Sequence, residues 1–167
     1  MKYAFLVKNF HSLSFEQKII FIANFLTSLF CFFPWISYSP ILGYGESFCH
    51  NAFFGTGFLV GTLIFGLSFS VFGIFLDKIL QTKKIKLPVK ENNYLIFATI
   101  ELLIFLIIAW SILIFLGNEL EEAEIRFGIF GCFFSQVISA VALFLQVKKE
   151  KKQNAKNQFM HIKKESN

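Results

Sequence analysis

The chain has 167 residues, of which 55% are hydrophobic, and its formal net charge at pH 7 is +5. This length suits a single domain, and hydrophobic runs of about 20 residues place the core of that domain in a lipid bilayer. The basic character does not indicate a nucleic-acid partner, because the lysines flank the hydrophobic segments and are not interleaved with aromatic side chains.

The hydrophobic residues are concentrated in four segments that we predict to be transmembrane helices. At about 1.5 Å per residue, each segment can cross a hydrocarbon core about 30 Å thick. The predicted spans are residues 19–37, 52–76, 94–116 and 127–147. Their one charged residue is Glu101, in the third span. The expected fold class is therefore all-α, an integral membrane four-helix bundle with short loops and both termini on the same side.

The cationic residues predict which side of the membrane each connecting segment occupies. Fifteen of the 16 Lys and Arg residues lie before the first span, between the second and third spans, or after the fourth. The positive-inside rule places these segments in the cytoplasm and the other two loops outside. We therefore predict a multi-pass protein of the plasma (inner) membrane. It has a cytoplasmic N-terminal segment (1–16), a membrane bundle (17–147) and a basic cytoplasmic tail (148–167) that extends the fourth helix only briefly.

Local signals mark the ends of the first span. Ser14 followed by Gln17 is the pattern of a capping box, in which each side chain accepts a hydrogen bond from the other residue's backbone at the start of a helix. Pro34 has no backbone N–H and is expected to kink or end that helix near the outer surface. The next segment, residues 38–51, is rich in Pro and Gly and is expected to be a turn-rich outer connector.

The second outer loop is acidic, and it contains the single outer cation. Glu122 precedes Arg126 by four residues, a spacing that predicts an ion pair on a helix. On the inner side, the lysines near the membrane boundary fix topology and are also candidates for binding anionic lipid headgroups. These lysines are Lys83, Lys84, Lys86, Lys148, Lys149, Lys151 and Lys152.

Small residues form stripes along the second and fourth predicted spans. Lipid chains are as apolar as leucine, so helices associate in a membrane mainly where small residues let their backbones approach closely. The stripes contain Gly128, Gly131 and Ser135 in the fourth span, and Gly57 and Gly61 on one face of the second span with Gly66 on the opposite face. We predict close packing at these faces, within the bundle or between copies of the chain.

Glu101 is the candidate functional residue, because an ionisable group inside a span is costly and points to function by default. Counting from the predicted boundaries places Asn24, Ser70 and Ser139 at a similar depth, which predicts one polar layer near the inner surface. Four roles for Glu101 stay open at this point. It can fix the helix register while neutral or hydrogen-bonded, handle protons or cations, contact a partner, or reach headgroup water from a position near the membrane boundary.

The other reactive side chains do not form a catalytic or metal-binding pattern. Cys31, Cys49 and Cys132 include no C-x-x-C pair, although the first and third fall at a similar depth and can touch. Cys49, His50 and Glu46 are metal-ligand types on one loop, but they lack a paired spacing. We therefore expect no catalytic residue, no metal and no cofactor.

Two short stretches carry a resemblance to other proteins. Residues 32–37 (FFPWIS) and 125–129 (IRFGI), with a basic tail after them, resemble uncharacterised small four-span membrane proteins of AT-rich bacteria. The resemblance implies four spans over roughly residues 17–150, and it implies no functional residue.

The leading functional hypothesis is a non-enzymatic subunit, scaffold or assembly factor of a membrane complex. Four spans leave little soluble mass, and the small-residue stripes favour packing against protein partners or self-association. One alternative is a small oligomeric channel or transporter with Glu101 in its pathway. Another is a membrane protein that binds anionic lipids through the inner lysines.

Overall fold

The computed structural model describes residues 2–38, 48–82, 85, 87, 89–119 and 123–165. These residues are mostly helical and contain five α-helices and three short strands. The helices are α1 (Lys2–Ser12), α2 (Phe15–Phe30), α3 (Phe58–Leu80), α4 (Glu91–Glu119) and α5 (Phe127–Glu165). The strands are β1 (Ile36–Tyr38), β2 (Phe48–His50) and β3 (Ala123–Ile125), and a 3₁₀ turn covers Gly55–Gly57.

Three of the described helices are long and apolar enough to cross a membrane. They are α3, the part of α4 up to Phe115 and the part of α5 up to Ala155. This supports a membrane protein. Helix α2 has 16 residues, which corresponds to about 24 Å and is shorter than a hydrocarbon core of about 30 Å.

The first predicted span, residues 19–37, is helical only as far as Phe30. Cys31 caps the helix, and the chain then turns, because the N–H groups of Phe32 and Phe33 donate to carbonyls only three residues back, at 3.1 and 3.2 Å. Pro34 follows and cannot continue the helical hydrogen bonds. The helix therefore ends at Phe30, about one turn before Pro34. Residues 36–38 are extended rather than helical.

A small antiparallel sheet lies beyond the end of α2, which the all-α expectation did not include. Strand β1 is central, and Ile36 lies opposite His50 on one side and Ile125 on the other. Trp35 extends this arrangement, because its N–H donates to His50 at 2.8 Å and its carbonyl accepts from the Arg126 N–H at 2.8 Å. The Trp35 side chain is buried, and its indole N–H donates to the carbonyl of Phe30. We call this end of the molecule the sheet end.

The other helices also differ from the predicted spans at their ends. Helix α3 begins at Phe58 rather than at residue 52, because residues 51–57 form a turn and the 3₁₀ segment. It ends where Gln81 adopts a left-handed conformation, with φ of 53°. Helix α5 continues through the basic tail to Glu165, well past the brief extension predicted. The tail lacks Gly and Pro, and its most frequent residue is Lys, which favours helix.

Helices α2 to α5 pack side by side in a ring. Each contacts its neighbour in the chain, and α5 closes the ring through the most extensive contact, with α2. Two hydrophobic clusters fill the interior. One lies toward the sheet end and includes Ile64, Leu106 and Ile129, and the other includes Ile20 and Phe75.

The connecting segments alternate between the two ends of this ring. The sheet joins the end of α2 to the starts of α3 and α5. At the opposite end, which we call the N-terminal end, Asn9 of α1 donates to the carbonyl of Ile79 at 2.8 Å. Lys78 pairs with Glu91 there at 2.5 Å, which joins the end of α3 to the start of α4.

Candidate functional site

A buried group of polar side chains lies between the two hydrophobic clusters. Helix α2 contributes Asn24, Thr27 and Ser28, which share one helical face because they are three and four residues apart. All three are buried. With Ser68 of α3 and with Gln136 and Ser139 of α5, which are also buried, they form what we call the polar core.

Hydrogen bonds in the polar core join α2 to α5. The Asn24 amide donates to the Ser139 hydroxyl at 3.0 Å. The Gln136 amide donates to the Asn24 side-chain oxygen at 3.1 Å and to the Thr27 hydroxyl at 2.9 Å. These bonds connect the two helices with the largest mutual contact, so they fix the register of α2 against α5.

A second contact joins α2 to α3. The hydroxyl oxygens of Ser28 and Ser68 are 2.8 Å apart, and either one can donate to the other. Each hydroxyl also lies 3.0 Å from a carbonyl of its own helix, that of Asn24 or Phe65. The polar core therefore pairs most of its polar groups internally, as burial requires. The exception is the side-chain oxygen of Gln136, which is buried and has no hydrogen-bond partner among the described residues.

The predicted polar layer of Asn24, Ser70, Glu101 and Ser139 is not one network. The structure brings Asn24 and Ser139 together. Ser70 is separated from Ser68 by about 200° around α3, and its hydroxyl contacts that of Tyr94 on α4 at 2.7 Å. Glu101 forms no hydrogen bond or ion pair with any residue that the structure describes.

Glu101 lies at the edge of the outward face of α4. The residue is half-buried, and the positions four before, three after and seven after it share this side of the helix. These residues, Phe97, Ile104 and Ile108, are exposed by 61%, 49% and 40%. We call Phe97, Glu101, Ile104 and Ile108 the α4 outer face. Glu101 is about 15 Å along the helix from its start at Glu91.

A second polar cluster holds the N-terminal end together. Lys149 of α5 donates to the carboxylate of Glu16, a buried side chain in the first turn of α2. This bond from Lys149, and the bond to the Glu16 backbone N–H, lower the pKa of Glu16 below its ordinary value. Nearby, the Gln146 amide donates to Asn92 at 3.2 Å and to Glu150 at 3.3 Å, which ties α4 to α5.

The structure shows which small residues permit close packing. A Cβ at Gly61 would lie 1.9 Å from the carbonyl oxygen of Ala52. A Cβ at Gly128 would lie 2.5 Å from Trp35, and one at Gly131 would lie 2.6 Å from the ring of Phe30. These positions and the buried Ser135 are therefore packing contacts. By contrast, a Cβ at Gly57 or Gly66 would meet no described atom within 4 Å.

The predicted ion pair between Glu122 and Arg126 cannot be followed, because Glu122 lies outside the described residues. Arg126 directly follows a strand, Ala123–Ile125. It pairs with Glu124 at 2.8 Å and donates to the Ser37 hydroxyl at 2.6 Å. These contacts hold β3 against β1.

The lysines that we predicted to lie on the inner side divide into two groups. Lys148, Lys151 and Lys152 are exposed on α5, whereas Lys149 is held by Glu16. The lysines between α3 and α4 that we considered for lipid binding lie outside the described residues; they are Lys83, Lys84 and Lys86.

The cysteines are free in this structure. Cys31 and Cys132 are both fully buried in the hydrophobic cluster near the sheet end, and the Cys132 thiol donates to the carbonyl of Thr27 at 3.6 Å. Cys49 on β2 is exposed. No three described His, Cys, Asp or Glu residues lie close enough together to hold a metal ion.

Sequence reasoning missed Gln136 and Gln146, which join α5 to α2 and to α4. Both are uncharged, so a search for charges within hydrophobic segments passes over them. A buried amide is nevertheless costly without a partner, and its position on the face that also carries Ser139 could have drawn attention to Gln136.

Comparison of the chain with protein-family models, curated proteins and solved structures gave no significant match.

Proposed function

We propose that the protein is a non-enzymatic, multi-pass membrane protein that acts as a subunit, scaffold or assembly factor of a membrane complex. The proposal includes four crossings of the plasma membrane with both termini in the cytoplasm. Helix α2 is the fourth crossing in this proposal. Its exposed residues Ile22, Phe25 and Leu29 recur at helical spacing, which suits contact with lipid.

The observation that carries the proposal is the position of Glu101. Polar side chains of the polar core are hydrogen-bonded within the chain, but this carboxyl is not bonded to any described residue and lies beside an exposed apolar face. A charged or polar group at such a depth normally pairs with another group, because the hydrocarbon offers no water. A donor on a neighbouring protein is the partner that this arrangement favours.

The polar core itself supports a structural role for the interior of the ring. Asn24, Gln136 and Ser139 bond to one another and are buried, so their hydrogen-bonding groups hold helices together. The surfaces left for interaction are the outward ones. This distribution suits a protein that works by binding other membrane proteins.

An oligomeric channel or transporter is the second candidate, and the same position of Glu101 bears on it. A carboxyl on the outward face of α4 can line a pathway only where several copies place that face toward a common axis. The exposed Gly66 on α3 would permit close contact between such copies.

The test is photocrosslinking from the α4 outer face in native membranes. A photoreactive residue at Ile104 is expected to capture a different membrane protein, and Glu101→Leu is expected to reduce that product. The substitution removes a group that costs about 2.5–3.5 kcal/mol to insert, so the loss would not reflect poor insertion. Ile114→Leu, at an exposed position of α4 nearer its other end, is the control.

The other outcomes separate the two candidates. A product of two copies of the chain, with ion flux in liposomes that Glu101→Gln abolishes, would favour the channel. If Ile104 captured no protein and mild detergent released only monomers, the complex-subunit proposal would be wrong.

A further inference from the structure

An apolar groove lies between α4 and α5. It has a volume of about 520 Å³ and is lined by Trp110, Phe130, Phe133, Phe134 and Val137. The Trp110 ring contacts those of Phe130 and Phe133 edge-on, with centroids 5.1 and 6.1 Å apart. Such edge-to-face contacts hold the walls of the groove in a defined arrangement.

The groove runs along the helices. Its residues on α5 recur three, four and seven positions apart, from Phe130 to Val137, which spans about 10 Å of the helix axis. Both helices that form it are long and apolar enough to cross a membrane. The groove is therefore parallel to the acyl chains of a bilayer that surrounds these helices.

The groove is also open to that bilayer. Phe134 is exposed by 74%, and Phe130 and Val137 are each exposed by 49%. A surface of this kind within the hydrocarbon meets lipid chains directly, and its lining offers no polar side chain to a polar ligand.

We propose that this groove binds one acyl chain of a membrane phospholipid, in the half of the bilayer that holds the sheet end. Its volume falls within the range of about 300–1,000 Å³ that is usual for small-ligand sites. A linear chain can enter along the whole length of the groove. A bilayer presents acyl chains directly to the exposed apolar surface of α4 and α5, so an acyl chain is the occupant that this location favours.

This binding differs from ordinary contact with surrounding lipid. An acyl chain in the groove touches aromatic walls on two helices, whereas a lipid on a convex helix face touches one side only. The groove lipid should therefore exchange more slowly and survive detergent extraction. The inference depends on the membrane location of α4 and α5 and not on the role proposed for Glu101.

Lipid retention tests the site directly. The purified protein, washed extensively in detergent, is expected to keep a stoichiometric phospholipid that native mass spectrometry detects. Val137→Trp fills the groove and is expected to reduce retention about tenfold, because losing contact with only two methylenes has roughly that effect. Leu63→Trp is the matched control, since Leu63 is an equally exposed residue on α3.

Trp110 provides a second measurement, in which the lipid occupies the wild-type groove. The protein is loaded with phospholipid brominated along its acyl chains and then diluted into unbrominated lipid. The fluorescence of Trp110, taken as the difference between wild type and Trp110→Phe, is expected to recover in a slow phase. Trp35 is the other tryptophan, and the subtraction removes its signal.

Three results would overturn the inference. Val137→Trp could retain as much phospholipid as Leu63→Trp, or Trp110 fluorescence could recover as fast as bulk lipid exchanges. Disulfide-linked dimers of a Val137→Cys variant would assign the groove to a second copy of the chain instead.

Discussion

At the scale of single residues, two glycines of α3 provide a matched test of helix packing. A Cβ at Gly61 would overlap the backbone carbonyl of Ala52, which cannot move without shifting the turn before α3. Gly61→Ala is therefore expected to destabilise the protein by about 1–3 kcal/mol. Unfolding in mixed micelles, followed by circular dichroism, would measure the change.

Gly66→Ala is the control, because a Cβ at that position would meet no described atom within 4 Å. Alanine is the better helix former, so this change is expected to be neutral or to stabilise by up to about 1 kcal/mol. Equal destabilisation by both substitutions would mean that the contact between residues 61 and 52 does not limit packing.

The polar core predicts coupling between α2 and α5. Asn24→Ala and Ser139→Ala each remove one partner of the 3.0 Å hydrogen bond between these helices. In a double-mutant cycle, the coupling energy is expected to be about 0.6 kcal/mol, the average for such bonds in a membrane protein, and at most about 1.7 kcal/mol. Pairing Asn24→Ala with Ser111→Ala should give none, since the Ser111 hydroxyl donates only within α4.

The ion pair of Glu16 and Lys149 predicts a pH dependence. The pKa of Glu16 is lowered in the folded protein, so the charged form stabilises the fold above its ordinary value of 4.5. This contribution is lost as the pH falls through the lower, folded-state pKa. Unfolding curves at several pH values below 4.5 should show the loss for wild type and for Lys152→Met, but less of it for Lys149→Met. Identical profiles for the two variants would contradict the role of the pair.

The packing role of a single residue could be predicted where its residue type recurs at helical spacing. Gly61, Gly128 and Gly131 belong to stripes of small residues and lie at close contacts, whereas Gly57 and Gly66 of the same stripes do not. Ser70 was assigned from depth alone, and depth does not report which side of a helix faces which neighbour. Gln136 was missed because a neutral amide does not interrupt a hydrophobic segment in a count of charges.

At the scale of elements, the start of α2 is set by its capping box. The Ser14 hydroxyl accepts from the Gln17 N–H at 3.2 Å, and the Gln17 side chain accepts from the Ser14 N–H at 3.1 Å. Ser14→Ala is expected to cost about 0.5–2 kcal/mol. Hydrogen exchange at the Gln17 amide would report the change locally.

Ser12→Ala is the corresponding control two residues earlier. The Ser12 hydroxyl is exposed and donates to the carbonyl of Asn9 at the end of α1, so it does not cap α2. The expected effect is within about 0.5 kcal/mol. If both variants exposed the Gln17 amide equally, the capping box would not be what stabilises the start of α2.

The long helices were predictable, and the sheet was not. Predominantly apolar segments of more than 20 residues indicated α3, α4 and α5, because such segments are rare outside membrane helices. Three-residue strands are too short to show alternation, and β1 pairs with β3 across more than 80 intervening residues. Pro34 indicated where the first helix would be disturbed, but the pairing of residues 36–38 as a strand is not visible locally.

At the scale of the whole molecule, the two ends of the helix ring separate the connecting segments into two groups. Residues on α1, between α3 and α4, and on the extension of α5 lie at the N-terminal end. The strands lie at the other end. This arrangement and the distribution of lysines lead to the same expectation, that alternate segments are on opposite sides of the membrane.

Labelling with a membrane-impermeant maleimide would test this topology, and Cys49 is a natural reporter for the sheet end because it is exposed. In a Cys49→Ser background, Lys8→Cys reports the segment before α2 and Val89→Cys, an exposed position, reports the segment after α3. Cys31 and Cys132 can stay in place, since both are buried. We expect Cys49 to react in intact cells and the two new cysteines to react only after permeabilisation.

The result at residue 8 decides whether α2 crosses the membrane. If α2 were too short to cross, the segment before it would share a side with Cys49. The cysteine at residue 8 would then react in intact cells, as Cys49 does. Reaction of Val89→Cys in intact cells would instead mean that α3 does not cross the membrane. Protection of the cysteines at residues 8 and 89 would establish that the 16 residues of α2, with the turn and sheet beyond them, are sufficient to bring the chain across the membrane. Local thinning of the bilayer can accommodate a helix of this length at modest cost.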